Sequence, residues 1–139
     1  VEQIASTKKI KFLHKKIKAK SSPEALFEKA YKEEPFSFIL ESMVHIKKRG
    51  RYSFLGGRPF ILLKNNGENI DIEMFGNKYT EKGDPFNKLR ELMSLVNSYP
   101  YIPGFSGGAV GYLSYDAVRF FEEIPDNNPD EIKTPETYF

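Results

Sequence analysis

Residues 105–122 read Phe-Ser-Gly-Gly-Ala-Val-Gly-Tyr-Leu-Ser-Tyr-Asp-Ala-Val-Arg-Phe-Phe-Glu, and this stretch constrains the fold more than any other. Gly107, Gly108 and Gly111 carry no Cβ, so the backbone here can pass close to another backbone. Val110, Tyr112, Leu113 and Tyr115 favour an extended chain, which predicts a strand through a crowded place over Gly107–Tyr115. From Asp116 the apolar spacing changes to Ala117, Phe120 and Phe121, which predicts a short helix. A Gly-rich strand entering a helix can also cradle a dinucleotide. Gly107-Gly108-Ala109-Val110-Gly111 is not G-x-G-x-x-G, however, and no G-x-x-x-x-G-K-[ST] occurs in the chain. The glycines therefore read as packing residues.

With 139 residues, the chain is long enough for one domain with a real core. The absence of cysteine excludes disulfides, thiolate chemistry and Cys-ligated metals, and it fits a cytoplasmic protein. No run of 18 apolar residues and no signal-peptide pattern point to a membrane or to export. The 21 basic residues are nearly balanced by 19 acidic ones, which gives no reason by itself to expect nucleic acid.

Along the chain, Lys8 to Lys20 holds seven lysines around Ile10, Phe12, Ile17 and Ala19. The spacing of two predicts an edge strand with a lysine-rich open side. Ser22-Pro23-Glu24 predicts a helix start, with Leu26, Phe27, Ala30 and Tyr31 on one face and Pro35 beyond its end. Phe36–Ser42 and Tyr52–Leu55 read as strands joined by a basic connection. Phe60–Lys64 and Ile70–Phe75 flank the turn sequence Asn65-Asn-Gly-Glu-Asn69, and Gly76-Asn77 turns the chain again. Asp84-Pro85 predicts a second helix with Phe86, Leu89, Leu92, Met93 and Val96 inward, and with Lys88, Arg90 and Glu91 in solvent. The order predicts an α+β fold with a largely antiparallel sheet and two to three helices. Residues 1–122 read as the domain, and 123–139 as an acidic, Pro-rich connector leading into a following strand at Tyr138-Phe139. That ending, with Val1 at the start, reads as a piece of a longer chain.

No constellation of catalytic residues stands out. The chain has no nucleophile elbow, no H-E-x-x-H and only His14 and His45 as histidines, and Asp116, Glu122 and Glu123 read as solvent-exposed acids on a short helix. Composition and spacing give an α+β domain without an activity.

Two blocks carry a resemblance. Phe38-Ile-Leu-Glu-Ser42 followed by Gly50-Arg-Tyr-Ser-Phe-Leu-Gly56, and Gly107-Gly-Ala-Val-Gly-Tyr-Leu-Ser-Tyr-Asp-Ala-Val-Arg-Phe-Phe-Glu122, resemble the amino-terminal region of anthranilate synthase component I, in the chorismate-utilising enzyme family. The resemblance runs from the first helix onward. It implies the amino-terminal part of a larger two-part α/β-sandwich enzyme, a lyase that makes anthranilate and pyruvate from chorismate. Ammonia would come from a glutamine amidotransferase partner subunit, and magnesium would belong to a carboxy-terminal part carrying the catalytic residues. The 139-residue piece would have no lyase activity of its own. The triplet Leu40-Glu41-Ser42 is similar to the element that binds the feedback inhibitor L-tryptophan. A carboxylate such as Glu41 suits the effector's ammonium, Ser42 and Arg51 suit its carboxylate, and Leu40 with Phe54 suits the indole. The aminodeoxychorismate synthases, a free-standing small-molecule sensor and a nucleic-acid module built on Lys8–Lys20 are the alternatives. A domain that normally packs on a larger partner is also expected to self-associate through Tyr138-Phe139 or the Gly107–Tyr115 strand.

Overall fold

The computed structural model describes residues 13–41, 52–95, 108–125, 127, 129 and 131–139. They divide into two compact units, His14–Pro59 and Phe60–Phe139, the second also taking in Leu13.

In His14–Pro59, helix α1 (Pro23–Tyr31) starts as its sequence dictates. The Ser22 hydroxyl accepts from the Ala25 amide at 3.3 Å, Pro23 needs no partner for a missing N–H, and Glu24 lies in the first turn. The helix lies against a two-stranded antiparallel sheet of β1 (Phe38–Glu41) and β2 (Ser53–Gly56). Glu34 and Arg58 form an ion pair beside the helix end and the end of β2.

The second unit is built on the predicted meander. Strands β3 (Ile61–Asn66), β4 (Asn69–Met74) and β5 (Asn77–Lys82) pair in sequence, all antiparallel. Alternation puts Ile70, Ile72 and Met74 of β4 on the inner face, where they pack with Leu63 of β3 and Leu92. Helix α2 (Pro85–Ser94) supplies Leu92, and Leu89 packs at the margin of the same cluster. Asp84 caps this helix, accepting from the Phe86 amide at 2.8 Å and from the Asn87 amide at 3.4 Å. The β4–β5 turn puts Phe75 and Gly76 at φ 49° and 81°, the two positive values that a tight hairpin turn requires. Phe75 accommodates this by stacking on Phe60, with ring centroids 5.6 Å apart.

Two short strands complete a five-stranded sheet in the order β5-β4-β3-β7-β6, where β6 is Tyr112–Leu113 and β7 is Thr137–Tyr138. A 3₁₀ helix (Tyr115–Phe120) follows β6. The stretch 123–139, expected as a connector leading into a strand at Tyr138-Phe139, ends in β7 within this sheet. Backbone bonds tie it in: Leu63 and Phe139 exchange N–H and C=O at 2.9 Å, and the Glu136 amide donates to Asn65 at 3.0 Å. Asn65 lies on the inner face at 1% exposure, where an unpaired amide would be costly. The Thr137 hydroxyl donates to its Oδ1 at 2.5 Å, and its Nδ2 donates to Glu136 at 2.7 Å. Glu136 also accepts from the Gly67 amide at 2.9 Å. The Gly-rich approach is explained here as well. A Cβ on Gly111 would overlap the Tyr138 carbonyl and stand 2.7 Å from the Phe139 Cα.

Four sequence expectations need correction. Of the edge strand expected over Lys8–Lys20, residues 8–12 lie outside the described residues and residues 13–20 form no strand, with Leu13 and Ile17 85% and 73% exposed. The expected strand over Gly107–Tyr115 shrinks, among the described residues, to β6, since only Tyr112 and Leu113 meet a partner strand. The helix after Asp116 is a 3₁₀ helix. Lys88 is not solvated: it lies 13% exposed between Glu81 at 2.7 Å and Glu91 at 2.5 Å. Burial alone would lower its pKa, but the two carboxylates outweigh that and raise it.

Candidate effector site

The first resemblance block falls on the β1–β2 pair. The register sets Phe38 opposite Gly56, Ile39 opposite Leu55, Leu40 opposite Phe54 and Glu41 opposite Ser53. Strand alternation then separates two sets of side chains. Leu40 and Phe54 share one face, and Glu41 and Ser53 share the other. The two expected wall residues are therefore brought together, and Glu41 projects from the opposite side of the strand. Leu40 is 49% exposed, so an apolar surface is open beside Phe54 and Tyr52, whose rings lie 6.3 Å apart. Ser42 and Arg51 lie outside the described residues.

Glu41 has a polar neighbour on the facing strand: the Ser53 hydroxyl donates to its Oε1 at 3.3 Å. Glu24 lies in the first turn of α1, where the Ser22 hydroxyl and its own backbone amide hold its carboxyl below the ordinary glutamate range. The end of β1 thus presents a carboxylate beside a hydroxyl, and the carboxylate suits a cation such as an amino acid's ammonium. Which residue faces Glu41 depends on the register, and the register depends on how the chain runs between the two strands. No local pattern in the sequence reports it.

Other candidates stay separate from this corner. Asp116 pairs with Arg119 at 2.9 Å on the 3₁₀ helix, and Glu122 and Glu123 are exposed, as read from the sequence. His14 is exposed, and His45 lies outside the described residues. Among the described residues no three His, Asp or Glu side chains come together as a metal site. No described helix is long and apolar enough to cross a membrane.

No family model matches the chain. It is 33% identical over 121 residues to anthranilate synthase component 1 of Acetivibrio thermocellus, a match spanning 85% of this chain and 24% of that one. The corresponding protein of Aquifex aeolicus is 35% identical over 120 residues, spanning 84% of this chain and 24% of the relative. That of Methanothermobacter thermautotrophicus is 38% identical over 111 residues, spanning 78% and 24%. Over most of its length the chain is similar to anthranilate synthase component 1. It spans about a quarter of the length of these relatives, and the match fits an amino-terminal fragment of a component 1 chain. The α+β architecture expected from the sequence is the one observed, with antiparallel sheets throughout.

Proposed function

We propose that these residues form the amino-terminal, L-tryptophan-sensing part of a cytoplasmic anthranilate synthase component 1. The observation that supports this reading is similarity to component 1 chains across most of the sequence. The complete enzyme would convert chorismate and ammonia to anthranilate and pyruvate, a lyase reaction in tryptophan biosynthesis. A glutamine amidotransferase subunit would supply the ammonia, and magnesium would be held outside the described residues. In this reading these 139 residues do no chemistry on chorismate, and the isolated piece is inactive. Their task is to register the end product. Glu41 would pair with the effector's ammonium, and Ser42 and Arg51 would hold its carboxylate; Leu40, on the opposite face of β1, is left out of this contact set.

The test is a tryptophan titration of the initial rate of chorismate conversion by the full-length chain with ammonia and magnesium. A hydrogen bond to a charged group is worth about 1.5–3 kcal/mol, which is roughly ten- to a hundredfold in affinity. Ser42→Ala should weaken inhibition by roughly that factor, and Glu41→Gln should act in the same direction. An inhibition curve unchanged in both variants, or a loss of rate before any tryptophan is added, overturns the reading.

A further inference from the structure

We propose that Ser53 is a positioning residue for effector recognition: its hydroxyl holds the Glu41 carboxylate in the direction that meets the effector's ammonium. The proposal rests on the effector-site reading above. It follows from the register, which sets Ser53 directly opposite Glu41 on the same face of the two-stranded sheet. The hydroxyl donates to Glu41 Oε1 at 3.3 Å, leaving the second carboxylate oxygen available to a ligand.

The surroundings explain why Glu41 needs such a partner. Glu41 is exposed at the end of β1, and an exposed glutamate samples several rotamers at little cost. Left alone, the Glu41 side chain would move among these rotamers in solvent. A hydroxyl on the facing strand opposes that motion, and an incoming ammonium then meets a carboxylate already in place. Serine is not a strong strand former, and its exposed place on β2 contributes little to packing, so the hydroxyl is the part of the residue that matters.

The experiment is a double-mutant cycle on the full-length chain, with L-tryptophan as probe. It is read both as the inhibition constant, relative to each variant's own uninhibited rate, and as the dissociation constant by calorimetry. Ser53→Ala should weaken tryptophan by roughly two- to tenfold, at the low end of couplings between residues in contact. Ser53→Thr, which keeps the hydroxyl and suits a strand, should restore it. In the Glu41→Gln background, Ser53→Ala should have no further effect, because the residue acts only through Glu41. A Ser53→Ala effect that adds in full to that of Glu41→Gln overturns the inference. So does an unchanged constant in Ser53→Ala when Glu41→Gln alone weakens binding, and in that case the effector-site reading survives. An unchanged constant in Glu41→Gln removes the effector-site reading and this inference together.

Discussion

Alanine at Gly111 adds one methyl group to a place where two backbones already touch. Gly111 is not at a positive φ, so any cost comes from lack of space and not from backbone strain. The added carbon would overlap the Tyr138 carbonyl and sit 2.7 Å from both the carbonyl carbon of Tyr138 and the Cα of Phe139. None of these is the end of a flexible side chain, so a strand has to move. If β6 moves, it gives up its pairing to β7 and the bond from the Ser114 amide to Glu136 at 2.8 Å. If β7 moves, the paired bonds between Leu63 and Phe139 weaken, and so does the cover over Asn65. Overpacking costs about 1–3 kcal/mol, and each lost backbone bond adds about 1. The expected destabilisation is therefore about 2–5 kcal/mol. With a urea m-value of about 2 kcal/mol per molar, the unfolding midpoint should fall by roughly 1–2.5 M. Gly76→Ala is the control. Gly76 has φ 81° and nothing within 4 Å of an added Cβ, so only the left-handed backbone penalty applies, about 1 kcal/mol. Amide hydrogen exchange gives an independent reading, since the Leu63 and Phe139 amides should lose protection first in Gly111→Ala. A Gly111→Ala cost no larger than that of Gly76→Ala, or full protection kept at those two amides, would refute the close approach of β6 and β7 as its cause.

Thr137→Val removes the donor to the buried Asn65 Oδ1 while keeping the shape of the side chain, and should cost about 1–3 kcal/mol in urea unfolding. An unchanged midpoint would mean that the amide oxygen finds another partner. Hydrogen bonding to the Arg58 guanidinium holds the Glu34 carboxyl below the usual glutamate range. A depressed pKa contributes stability above the unfolded value and loses it as pH falls through the folded value. The stability gap between wild type and Arg58→Ala should therefore be present at neutral pH and close on acidification, as followed by unfolding at a series of pH values. Strand β6 is an edge strand bearing Tyr112, Leu113 and nearby Tyr115 at 43%, 51% and 91% exposure, so self-association through that edge is expected. Sedimentation showing a monomer at high concentration, unaffected by Tyr115→Lys, would refute it.

Features that depend on a few neighbouring residues were legible in the sequence. Ser22-Pro23-Glu24 and Asp84-Pro85 announce their helices because a cap is a contact between residues two or three apart. Ile70, Ile72 and Met74 announce a half-buried strand because alternation is a property of one strand, and Gly67 and Gly76 mark its two turns for the same local reason. The tertiary structure decided whatever depends on residues far apart in the chain. Tyr138 could be read as the start of a strand, but its partners could not: β3 and β6 come from elsewhere in the chain, about seventy residues away in the case of Asn65 and Thr137. Lys88 looks like part of a solvated helix face until β5 brings Glu81 beside it. The residues of the candidate site divide in the same way. The Leu40-Glu41-Ser42 triplet is a run of adjacent residues and could be recognised in the sequence. Ser53 could not, because only the paired register of two strands, which no single strand encodes, puts its hydroxyl on Glu41.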